Sequence, residues 1–93
     1  MLKLKVGIIG AGQGGTAILD ALSTQEEVEV IGICDINSVA PGLTLAKKLK
    51  VPVLTDYREL LQQSNLDLVF EVTGTETVRE AVHAECPAGV NIV

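Results

Sequence analysis

Apolar residues fall in short continuous runs that alternate with stretches where they recur every three or four positions, which predicts strands and helices in turn. Residues 4–9 are almost all apolar, as expected of a parallel strand covered on both faces. Over residues 13–24 the period changes. Ile18 and Leu22 lie four apart, with Leu19 and Ala21 beside them, which predicts a crossover helix. Residues 28–36 return to the strand pattern through Val28, Val30, Ile31, Ile33 and Cys34. A second helix follows, with Asn37 and Ser38 as its caps, Pro41 in its first turn and Leu43, Leu45, Ala46 and Leu49 as its apolar positions, ending near Lys50.

Residues 51–54 form a brief third strand, and Pro52, which cannot donate to a ladder, assigns it to the sheet edge. Asp56-x-x-Glu59 has the form of a capping box and opens a third helix through Leu60 and Leu61 to about Gln63. Residues 66–72 make a fourth strand, closed by Thr73-Gly74-Thr75. Thr77-x-x-Glu80 caps a fourth helix that packs through Val78, Ala81 and Val82. Pro87 and Gly89 end it, and residues 90–93 begin a fifth strand. The fold class is therefore α/β: an open parallel sheet of about five strands in the order 3-2-1-4-5, with right-handed crossovers and helices on both faces. In that order sheet growth reverses between strands one and four, which leaves a crevice at their carboxyl ends.

The chemistry collects at that crevice. Gly10-Ala11-Gly12-Gln13-Gly14-Gly15 follows the first strand, and Gly10, Gly12 and Gly15 fit G-x-G-x-x-G. In that pattern the first glycine makes a tight turn, the second admits a pyrophosphate to the backbone, and the third packs helix against strand. Free amides and the helix dipole then favour the anion. Asp35 lies about twenty positions after Gly15, at the end of strand two, where a carboxylate accepts both ribose hydroxyls of an adenosine half. The same carboxylate repels a 2′-phosphate, and no arginine follows it within several residues, so NAD is favoured over NADP. Ile36 is placed to cover adenine, with Asn37 next to it. Thr73, Gly74 and Thr75 complete the candidate binding set from the other side of the switch point.

Other reactive residues add no chemistry. Glu71 sits within a strand with no histidine, lysine or second acid near it in sequence, so no catalytic residue is assigned. Cys34 and Cys86 have neither disulfide nor metal-ligand spacing, and His83 has no partners, so no metal site is assigned. Asp67 reads as a solvated position.

At 93 residues the chain makes one domain, residues 1–93, near the lower end of what buries its own core. A net charge of −5 excludes a nucleic-acid backbone or an anionic membrane as the main partner, and Lys3, Lys5, Lys47, Lys48 and Lys50 read as solvated surface. With no apolar leader or spanning segment visible, the expected location is cytoplasmic.

The stretch from Lys5 to Gly15, with Cys34-Asp35-Ile36-Asn37, Asp56-Tyr57 and Asp67-Leu68-Val69-Phe70-Glu71-Val72-Thr73-Gly74, resembles the dinucleotide-binding Rossmann domain of glucose-fructose oxidoreductase-like dehydrogenases, dihydrodipicolinate reductase, and homoserine or aspartate dehydrogenase. The resemblance spans nearly the whole chain. It implies that Gly10 to Gly15 and Asp35 bind cofactor, and that the turn at Thr73-Gly74 approaches its phosphate or nicotinamide side. One departure is that the first of these families carries Glu-Lys-Pro after the fifth strand, whereas Glu85-Cys86-Pro87 precedes it here. The segment 35–46 with Val53-Leu54-Thr55-Asp56-Tyr57 is also similar to Rossmann modules ahead of sensory and kinase domains in bacterial signalling proteins.

The leading expectation is thus the cofactor domain of an oxidoreductase, with a substrate domain in further chain beyond Val93. The alternatives are a non-catalytic NAD(H)-sensing module, or a scaffold whose exposed apolar surface forms a homodimer.

Overall fold

The computed structural model describes residues 3–93. In chain order it contains β1 (Leu4–Ile9), α1 (Gln13–Leu22), β2 (Val28–Cys34), α2 (Pro41–Lys48), β3 (Val53–Leu54), α3 (Tyr57–Leu61), β4 (Leu68–Glu71), α4 (Glu76–Glu85) and β5 (Asn91–Ile92). The strands form one sheet in the order β3-β2-β1-β4-β5, and every pairing is parallel. The expected order and the reversal between β1 and β4 are both present.

Strand alternation divides the core in two. Ile8 and Ile33 point to the face covered by α1 and α2, where they pack with Leu19, Leu43 and Ala46. Their chain neighbours Ile9 and Cys34 point to the other face, with Leu60, Leu61, Val69 and Val82 from α3, β4 and α4. This is the period of two that a doubly covered strand requires. Gly7 and Gly32 are register partners, and Leu60 lies over both, so that a Cβ at either glycine would stand 2.9 Å or less from its side chain. The short helix α3 therefore seats directly on the sheet backbone.

Several boundaries differ from expectation for local reasons. Neither Asn37 nor Ser38 caps α2: Ala40 is its N-cap, with no side-chain hydrogen bond. Pro41 has no N–H to satisfy, and the Gly42 N–H donates to the Ala11 carbonyl at 2.7 Å, so the glycine turn does the capping. β3 shortens to two residues because Pro52 contributes only its carbonyl, which accepts from the Ile33 N–H at 3.0 Å. Asp56 caps α3 as expected, its Oδ1 accepting from the Arg58 N–H at 2.9 Å. The N-cap of α4 is Thr75 rather than Thr77. Among the described residues no helix is long and apolar enough to cross a membrane.

Candidate functional site

Backbone constraints fix the turn after β1. Gly10 has φ +106°, and a Cβ there would lie 2.9 Å from the Val72 carbonyl carbon in the turn after β4. A Cβ on Gly15 would stand 1.8 Å from the Gly10 oxygen, so α1 starts hard against the end of its own strand. Gly12 is the opposite case. It is the N-cap of α1, with no side-chain cap, and nothing lies within 4 Å of the position its Cβ would take. The amides of the first helical turn have no intrahelical acceptors. Open space and free donors therefore coincide at Gly12.

Asp35 leaves β2 beside this turn and is bonded on both oxygens. Its Oδ2 accepts from the Ala11 N–H at 2.8 Å, and its Oδ1 accepts from the Asn37 N–H at 2.9 Å. The carboxylate thus joins the glycine turn to the loop after β2. Across the crevice, Glu71 Oε2 accepts from the Thr73 hydroxyl and from the Thr73 N–H at 3.1 Å. The Thr73 hydroxyl oxygen in turn accepts from the Thr75 N–H at 3.1 Å. Glu71 is therefore the support of the second turn, a role that its position inside a strand did not reveal.

Between the two turns lies a cleft of about 700 Å³. Of the residues singled out from sequence, Gly10, Gly12, Gln13 and Gly14 line it from the first turn, Asp35 and Ile36 from the end of β2, and Thr73 and Thr75 from the second turn. The other four stand apart. Ala11 is fully buried, with its N–H held by Asp35. Gly15 is buried against Gly10. Asn37 turns its side-chain oxygen to the Val39 N–H at 3.1 Å. Gly74, with φ +71°, faces a neighbouring groove with Glu76 and Arg79.

Residues 4–93 match the GFO/IDH/MocA family, described as an oxidoreductase family with an NAD-binding Rossmann fold. The chain belongs to this family. As a GFO/IDH/MocA Rossmann domain, it resembles the myo-inositol dehydrogenase of Lactobacillus casei, solved in complex with NAD(H) and myo-inositol. That structure is 29% identical with a TM-score of 0.76, over 90% of this chain and 25% of that one. The myo-inositol 2-dehydrogenase of Lactobacillus plantarum is 27% identical with a TM-score of 0.70, over 97% of this chain and 27% of that one. A glycosyl hydrolase family 109 protein of Stenotrophomonas maltophilia is 28% identical over 101 residues, 97% of this chain and 22% of that protein. The chain spans about a quarter of the length of these relatives or less.

The GFO/IDH/MocA domain also brings to its cleft residues that sequence spacing had not connected with Asp35. Thr55, Asp56, Tyr57 and Arg58 form its wall beyond β3. They follow the strand next to β2 in the sheet, so they emerge at the same edge as Asp35; the edge position of β3 was the available signal. Cys34 lines the floor, where burial first, and then the Asp35 carboxylate, push its thiol up to about 12. It stays protonated and acts as a packing residue. Among the described residues no group of three or more His, Cys, Asp or Glu is placed to hold a metal.

Proposed function

We propose that the chain holds a nicotinamide dinucleotide in the 700 Å³ cleft, NAD in preference to NADP, as the cofactor domain of a dehydrogenase whose substrate-handling residues lie outside these 93 residues. One observation carries this reading: the empty Cβ position of Gly12 stands at an uncapped helix N-terminus. A pyrophosphate fits there because no side chain fills the space and the first-turn amides donate to it.

Asp35 supplies the second point of attachment. Each of its oxygens has accepted one N–H, and a carboxylate has about four lone-pair sites, so acceptors remain for two ribose hydroxyls. A 2′-phosphate at the same place meets a like charge. Ile36, 97% exposed, offers an apolar surface to adenine. When bound, the dinucleotide supplies hydride transfer; these residues bind and orient it.

Calorimetric titration with NAD, NADH, NADP and NADPH tests the proposal. NAD and NADH are expected to bind more tightly than their phosphorylated forms. A folded chain that binds none of the four at millimolar concentration overturns it. Asp35→Ala is expected to weaken NAD more than NADP, and an unchanged ratio removes Asp35 from the ribose.

A further inference from the structure

Among the described residues lining the cleft, Arg58 is the only cation, and the carboxylates of Asp35 and Asp56 line the same cleft. It does not belong to the cleft alone. Arg58 stands on the ridge between the cleft and a second groove of about 430 Å³, which Gln62, Glu85 and Pro87 also line. Glu85, from the last turn of α4, borders this second groove and not the cleft. Its Oε1 accepts from Arg58 Nε at 2.8 Å, and its Oε2 accepts from the Tyr57 hydroxyl. The guanidinium carbon lies 4.8 Å from the Tyr57 ring centroid, and Arg58 Nη1 is 3.6 Å from Asp56 Oδ1. One guanidinium is thus held by two carboxylates and a ring.

We propose that Glu85 sets the cofactor preference from outside the cleft, by holding Arg58 toward the second groove and so keeping the cleft's one guanidinium from a 2′-phosphate. The inference rests on the dinucleotide reading above and names a positioning residue for it. A guanidinium is the side chain best matched to a phosphate, through paired N–H donors. While Arg58 is bound to Glu85 and Asp56, a 2′-phosphate near Asp35 meets two carboxylates and a cation already neutralised. Arg58 already lines the cleft and its side chain is half-exposed, so once released from Glu85 its guanidinium has room to turn toward a phosphate there. The hydrogen bonds to Tyr57 and Arg58 also hold the Glu85 carboxyl below its ordinary range, so the clasp is charged at neutral pH.

Exposed ion pairs are weak, so the device tilts a preference rather than making it absolute. Dissociation constants for NAD and NADP, measured on the 93-residue chain as wild type, Glu85→Gln, Glu85→Asp, Arg58→Ala and the Arg58→Ala/Glu85→Gln double variant, test it. Glu85→Gln is expected to shift the ratio of affinities toward NADP by about two- to fivefold. Glu85→Asp, which keeps a carboxylate, is expected to shift it less. The gain should vanish in the double variant and shrink at high salt. A folded Glu85→Gln chain with an unshifted ratio overturns the proposal, as does a gain that survives loss of Arg58. If Glu85→Gln does not fold, Glu85→Ala gives the same readout. A folded wild-type chain that binds neither dinucleotide overturns the dinucleotide reading and this inference with it; a chain that binds NAD but gives an unshifted ratio overturns this inference alone.

Discussion

The turns after β1 and β4 each contain a glycine in the left-handed region, Gly10 at φ +106° and Gly74 at φ +71°, and their backbones touch where Gly10 meets Val72. Their construction differs. In the first turn Gly10 and Gly15 are fixed by steric contact with backbone, and no side chain caps the helix that follows. In the second, Gly74 has open space around it, and shape comes from the bonds of Glu71 and Thr73. In the first turn the Ala11 N–H goes to Asp35, but steric construction leaves the amides at the start of α1 free for an anion. A turn held by side chains spends them on itself.

Substitutions separate the two designs. The largest effect is expected at Gly15→Ala, because a Cβ 1.8 Å from a carbonyl oxygen can be relieved only by moving α1 off β1. A loss of about 3 kcal/mol or more, seen as a fall in Tm of more than about 10 °C, would mark steric construction. Gly74→Ala meets no atoms and pays only for its left-handed backbone, about 1–2 kcal/mol. Equal thermal shifts for the two variants would erase the distinction. Gly12→Ala is expected to change stability by less than about 0.5 kcal/mol in a urea titration, while lowering dinucleotide affinity about tenfold in calorimetry. A Gly12→Ala chain that binds as well as wild type would break the link between empty space and ligand.

Features that depend on one stretch of chain were legible in the sequence. Ile8 and Ile9 show a strand with two buried faces, and Asp56 shows a helix start. The glycine spacing predicted three different roles for Gly10, Gly12 and Gly15, and each glycine has a distinct steric environment. The strand order that brings distant stretches together was legible as well, but the individual bonds between distant loops were not. The bond between Asp35 and the Ala11 N–H crosses from one loop to another. The capping of α2 by the Ala11 carbonyl replaced a cap expected from the adjacent Asn37 and Ser38. The seating of α3, which carries Arg58, depends on two paired glycines, Gly7 and Gly32, that leave room for Leu60, a contact between residues far apart in the chain.

The bonds of Asp35 constrain how such a domain can change its ligand. The carboxylate is both a contact offered to the cleft and a tie between Ala11 and Asn37. Replacing it leaves the part-buried Ala11 N–H to find a new acceptor, a loss of about 1.5–3 kcal/mol for a hydrogen bond to a charged group, while the exposed Asn37 N–H turns to water. In a chain of this size that is a substantial part of the total stability. Position 35 is therefore an expensive place for adaptation to begin. Residues 55–58, which line the same cleft and carry no part of the glycine turn, offer the more accessible route by which descendants of this fold can acquire a different cofactor.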